Sequence, residues 1–215
     1  SGWTLFKAAP GTWIGLTVVF MLVMMVMALI PFLGGIALNL LMPVFIGGIM
    51  MGCKAIEDGE ELRVGHLFAA FSGHVGNLVI VGLLYMVGIF AIMMVMFVIG
   101  GAGFGIGALL GGNIGTALVP MILLGLLALA LMIPLAMAVW FAPPLIIFHE
   151  VPPFEAMKAS FVVCLKNFVP FLVYGLVYLV LAVLACIPIF LGWLVLAPVM
   201  MASMYAGYRD MFTRD

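Results

Sequence analysis

Residues 77–148 read NLVIVGLLYM VGIFAIMMVM FVIGGAGFGI GALLGGNIGT ALVPMILLGL LALALMIPLA MAVWFAPPLI IF, without one Asp, Glu, Lys or Arg. A bilayer-spanning helix needs about 20 apolar residues in a row, so this block holds two spans and a remainder. A strand-built span would alternate polar and apolar residues over short segments, and nothing here alternates. The stretch decides the class: an all-α, polytopic transmembrane bundle. The whole chain agrees, with 68% hydrophobic and 7% charged residues and a mean hydropathy of +1.45. A soluble domain carries about 25% charged residues, so a water-soluble globule is excluded. A net charge of −1 offers no footprint for nucleic acid, which is not expected as a partner.

Outward from this block, 11–32 and 33–53 form two further apolar stretches joined at Pro31 and Gly34-Gly35, and 167–187 and 189–208 form two more, hinged at Pro188. Six helices in a single membrane domain over 1–215 are expected. All seven basic residues (Lys7, Lys54, Arg63, Lys158, Lys166, Arg209 and Arg214) fall in the N-terminal segment, the loops after the second and fourth helices, and the C-terminal tail. Cytoplasmic loops carry the Lys/Arg excess, so both termini are expected in the cytoplasm. No cleavable signal-peptide pattern opens the chain. Ser1 is not an initiator methionine, so residues are expected upstream. Cys53, Cys164 and Cys186 suggest no pairing.

Self-comparison predicts a threefold repeat. Phe6-x5-Thr12-x-Ile14, Phe71-x5-Asn77-x-Val79 and Phe161-x5-Asn167-x-Val169 share one pattern, each before an odd-numbered helix. Each even-numbered helix carries a proline, Pro43, Pro134 or Pro198. Thr12 to Pro43 and Asn167 to Pro198 are both 31 positions, whereas Asn77 to Pro134 is 57. The expected units are about 1–55, 62–149 and 153–212, the middle one carrying a Gly-rich insert near 99–124. Each is a short cytoplasmic helix followed by a span out and a span back.

Val64, Leu67, Phe68 and Phe71, like Phe154, Met157 and Phe161, recur at helical spacing with charges off the stripe, the pattern of helices lying in the membrane interface. Trp3, Phe6, Phe71 and Phe161 are the expected interfacial anchors. An interior proline removes a hydrogen bond and clashes one turn back, so Pro43, Pro134 and Pro198 are helix-kink candidates. Asn39, four residues before Pro43, is placed to supply a donor to the freed backbone. The three kinks either shape packing or surround a cavity. Gly103, Gly107, Gly111 and Gly115 recur every four residues, a glycine zipper that lets two helices approach closely, or else a Gly-rich loop; 99–116 reads as either a loop or a re-entrant helix.

Phe154-Glu-Ala-Met-x-x-Ser160, Asn167-Phe-x-Pro170 and Pro198-Val-x7-Gly207-Tyr-Arg-Asp210 resemble a set of uncharacterised six-helix inner-membrane proteins of proteobacteria. These are similar in turn to the membrane domain attached to some glycerophosphodiester phosphodiesterases. The likeness covers nearly the whole chain. It implies a bacterial inner-membrane location and six helices, and it carries over no catalytic or ligand residue.

No catalytic constellation is found, so an enzyme is not expected. His149-Glu150 begins like a metalloprotease signature, but Pro152 and Pro153 follow and no second ligand shares a helix face. Gly103-x-Gly105-x-x-Ala108 lacks the strand-turn-helix of a dinucleotide site. Met21, Met24, Met25 and Met27, with Met200, Met201 and Met204, invite a Cu(I) reading, yet methionine is also a common gap-filler. His66, His74 and His149 lie at the cytoplasmic edge, unsuited to haem. Glu57, Asp58, Glu60 and Glu61 read as a solvated loop. No cofactor and no metal site is expected. The spans hold no charge, which counts against proton-coupled carriers and ion channels. Two roles remain. The first is a non-catalytic accessory or scaffold subunit packing against membrane lipids, another membrane protein or a second copy. The alternative is a transporter or lipid-handling protein for a neutral or amphipathic molecule. A cavity reaching the midplane distinguishes the second from the first.

Overall fold

The computed structural model describes residues 2–109, 114–187 and 191–213, and no side chain between 103 and 118. Helices α1 (Gly2–Ala8), α2 (Pro10–Ala28) and α3 (Leu33–Glu57) open the chain, followed by a 3-10 helix, Val64–Phe71. Then come α4 (Val75–Leu109), α5 (Ile114–Trp140), α6 (Ala142–His149), α7 (Pro153–Lys166), α8 (Phe168–Cys186) and α9 (Trp193–Phe212). Pro10 and Pro153 each sit at the first turn of a helix, where the missing N–H costs nothing. Glu150 stops α6 in the left-handed region at φ +53°, a position glycine usually takes.

Five segments are long and apolar enough to cross a membrane: Pro10–Ala28, Leu33–Glu57, Val75–Ala102, Val119–His149 and Phe168–Cys186. The fourth of these takes in α5 and α6 together. Helix α9 has spanning length at 20 residues, but Tyr205, Tyr208, Arg209 and Asp210 lower its hydropathy, and it falls outside those five. The short amphipathic helix expected at 64–71 is present, wound as a 3-10 helix. The stretch expected as a loop or re-entrant helix is entered by α4, which continues helical to Leu109, and left by α5, which begins at Ile114. Gly111 lies outside the described residues, as do the surroundings of Gly103, Gly107 and Gly115, and the zipper expectation lies there with them.

Helix α3 is the central element. Half of its apolar window is buried, against 17% for α2 and α4 and 6% for α8. The fully buried side chains gather at one end of the bundle. Trp13, Met50, Leu67, Leu78, Phe141 and Ile146 meet there, beside the termini and the loops that hold the basic residues. The opposite end is splayed, with Phe32, Phe97 and Ile187 each more than 70% exposed. In water that would be untenable, but in hydrocarbon these side chains face a solvent as apolar as themselves.

Glycines set the close approaches within the packed end. A Cβ on Gly48 would collide with the His66 carbonyl and stand 2.7 Å from that of Leu67, so α3 lies directly on the backbone of the 3-10 helix. Gly47 faces the Ile147 and Leu78 side chains, and Gly52 faces Leu62 and His66. A Cβ on Gly82 would stand 2.7 Å from Leu40 O and 2.8 Å from Asn39 O, which brings α4 onto α3 one turn before Pro43.

Candidate functional site

Two helix irregularities shape the middle of the bundle. Pro43 has no N–H to give to the carbonyl of Asn39, and Gly82 of α4 is the residue pressed against that carbonyl. The Asn39 side chain was expected to supply a donor near the proline; instead its Nδ2 donates to Gly35 O at 2.9 Å, one turn earlier. The second irregularity separates α5 from α6. Ser160, fully buried on α7, accepts from the Phe141 N–H at 3.0 Å and donates to Met137 O at 2.6 Å. Those two backbone groups would bond each other in an uninterrupted helix; the hydroxyl is inserted between them. Cys164 Sγ lies 3.6 Å from the same Met137 O. Burial pushes its thiol up to about 11, although the Ser160 hydroxyl partly offsets this.

Between these irregularities lies a cavity of about 480 Å³. Met24 of α2, Met42 and Pro43 of α3, and Met200, Met201 and Met204 of α9 supply much of its wall. Asn39, Tyr85 and the indole of Trp140 add its polar atoms, and no charged residue lines it. Pro43 sits near the middle of α3, so the cavity reaches the mid-depth of that span. Helix α5 packs on α4, α6 and α7, while α9 packs on α1, α2, α3 and α8. The two helices face each other across the cavity without closing it. A smaller cavity of about 120 Å³ adjoins it and shares Trp140 and Met204; Tyr174 and Ser203 belong to its wall.

The expected site residues are distributed unevenly about this centre. Pro43 lines the cavity, and Pro198 is buried two residues before Met200. Pro134 lies exposed on α5; the buried prolines of that segment are Pro143 and Pro144 at the start of α6. Of the methionine clusters, Met24 and Met200, Met201 and Met204 converge, whereas Met21 and Met25 face outward. Phe6 is buried, with Trp3 stacked on it at 5.6 Å and Lys7 5.4 Å above the Trp3 ring. Phe71 is half-buried 5.5 Å from Phe45, and Phe161 lines a separate groove with Leu84 and Phe154. These four aromatic residues are not brought together. Glu57, read as part of a solvated loop, instead accepts the Tyr205 hydroxyl at 2.6 Å and pairs with Arg209. It ties the end of α3 to the end of α9.

The fold and cavity define a multi-pass helical membrane protein with an uncharged, partly open cavity between its helices. The chain is 30% identical to the probable inner membrane protein of Burkholderia thailandensis, over 97% of its own length and 87% of the relative's. It belongs to the family of that protein and is an integral, multi-pass inner-membrane protein. No protein-family profile matches it, and no solved structure matches it.

Proposed function

We propose that this is a non-catalytic, lipid-handling membrane protein whose chamber takes up a neutral amphipathic molecule. The observation that carries this is the chamber itself, of about 480 Å³ at mid-depth and lined without charge. Small-molecule sites run from about 300 to 1,000 Å³. Methionine side chains suit a flexible apolar occupant, because their unbranched thioethers adapt to irregular shapes. A phosphate or carboxylate buried there would have no counter-charge.

The same reading assigns α9 as a sixth span, with both termini in the cytoplasm. It follows the seven basic residues and the location of the packed end. Three hairpins, α2–α3, α4 to α6 and α8–α9, each preceded by a short helix, are supported by the buried prolines Pro43, Pro144 and Pro198. The scaffold reading keeps one observation of its own: α8 is only 6% buried over its apolar window, a face open to lipid, a partner chain or a second copy.

Native mass spectrometry from a mild detergent tests the two. A retained uncharged lipid that is lost in Met201→Trp supports the chamber. A retained membrane protein, indifferent to Met201→Trp and lost on substituting Leu176 and Val180 of α8, supports the scaffold.

A further inference from the structure

The two cavities that share Trp140 and Met204 lie at different depths. The larger reaches mid-membrane. The smaller lies nearer the basic end, between Pro170 and Phe171 in the first turn of α8 and Gly207 and Met211 near the end of α9. The smaller one also holds an unexplained polar atom. Tyr174 Oη is buried without a hydrogen-bond partner in good geometry, with the Ser203 hydroxyl as its polar neighbour. A hydroxyl withdrawn from water and left with only the Ser203 hydroxyl beside it is incompletely satisfied, and such groups call for an explanation.

We infer that the two cavities form one site for a long-chain lipid with an uncharged, hydrogen-bonding head, its tail in the methionine-lined chamber and its head at Tyr174 and Ser203. The inference rests on the lipid-handling reading and adds the ligand class to it. The order of depths matches a lipid in its own leaflet, with the head toward the interface and the tail toward the midplane. The polar side chains of the smaller cavity, the Tyr174 and Ser203 hydroxyls and the Trp140 indole, call for a head that hydrogen-bonds. No charged side chain lines either cavity, so an ionised head would be unpaired. Between them, Trp140 and Met204 form the partition. The methionine is the flexible member, and a chain passing from one cavity to the other runs along its thioether.

The experiment uses the full chain in phosphatidylethanolamine–phosphatidylglycerol nanodiscs, with hexadecanol carrying a mid-chain diazirine as probe and the matching hexadecanoic acid as its charged counterpart. Cross-linked peptides are identified by mass spectrometry. Saturable labelling is expected at Met42 and at Met200–Met204, stronger for the alcohol than for the acid. Tyr174→Phe should weaken it about three- to tenfold, the loss of one hydrogen bond. Met204→Trp should block it, while Met204→Leu, which keeps the volume, should label and melt like the wild type. If acid and alcohol label alike, or Tyr174→Phe changes nothing, the head-group assignment is overturned while the chamber reading stands. Labelling confined to the outer faces of α4 and α8, and not saturable, overturns both.

Discussion

Gly82→Ala should destabilise the bundle, although alanine favours a helix. Its Cβ would meet Leu40 O at 2.7 Å and Asn39 O at 2.8 Å, and both obstacles are backbone, so no rotamer change relieves them. Reaching van der Waals distance parts α3 from α4 by roughly half an ångström, and a gap of that size forfeits about a quarter of the dispersion energy of the facing atoms. Val44, Leu78 and Val81 are fully buried in these two helices, so the loss falls on well-packed groups. Overpacking of this kind costs about 1–3 kcal/mol, and the propensity gain of up to about 1 kcal/mol is common to every helical Gly→Ala change. The controls lie on the same helix. At Gly88 the Cβ meets only the flexible end of Leu135, at 2.7 Å, and at Gly101 it meets nothing within 4 Å. For a chain of this size 1 kcal/mol moves the midpoint by about 2–4 °C, so Gly82→Ala should melt about 2–12 °C below Gly101→Ala in detergent, with Gly88→Ala between them. Three coincident melting curves would refute the close approach of α4 to α3.

Ser160→Ala should cost about 1–3 kcal/mol, read by thermal unfolding, because it strands the buried Phe141 N–H and Met137 carbonyl; no loss would mean that α5 and α6 close into one straight helix. Tyr205→Phe should destabilise by about 1 kcal/mol and Arg209→Ala by less than that, since the Glu57–Arg209 pair is 33–44% exposed and exposed pairs contribute little; the reverse order, or a strong salt dependence, would place the ion pair first. At pH 7 a maleimide should leave Cys164 unlabelled in the folded protein, because its thiol is held protonated up to about 11 and is buried. Raising the pH through the ordinary thiol value of 9.0 toward 11 ionises the unfolded chain but not the folded one, so any stability linked to this group falls over that window. With Cys53, Cys164 and Cys186 replaced, a single cysteine introduced at Glu60 should resist a membrane-impermeant reagent from the periplasm and one at Leu191 should react.

The helical class and the boundaries of most spans were legible because charge and hydropathy report directly on solvent. The faces were not. Helices α2 and α4 are apolar all round, and in lipid a buried face and an outward face need the same side chains, so periodicity does not tell them apart. Hence Met21 and Met24 look equivalent in sequence and only Met24 reaches the chamber. Spacing pointed to Pro134 as the repeat mark, but burial falls on Pro143 and Pro144, whose helix is offset by the break that Ser160 occupies. Ser160 stood within a quoted motif, yet its role depends on two backbone groups about 20 residues earlier. Gly47, Gly48, Gly52 and Gly82 make close approaches that no regular spacing in the sequence marks, and only contact geometry reveals them. The Glu57–Arg209 clasp joins residues 152 positions apart, beyond the reach of local pattern.

The length of α4 has a mechanical consequence. Its 35 residues make a rod of about 52 Å at 1.5 Å per residue, while the hydrocarbon layer is about 30 Å thick. Even at the steep end of observed tilts, about 40°, the layer takes up only about 39 Å of rod. Roughly nine residues, about 13 Å, must project beyond the hydrocarbon. If the packed end is held at the cytoplasmic interface, the projection points outward like a mast, carrying uncharged residues into the headgroup zone. A thicker bilayer would cover more of that mast and a thinner one would bare it.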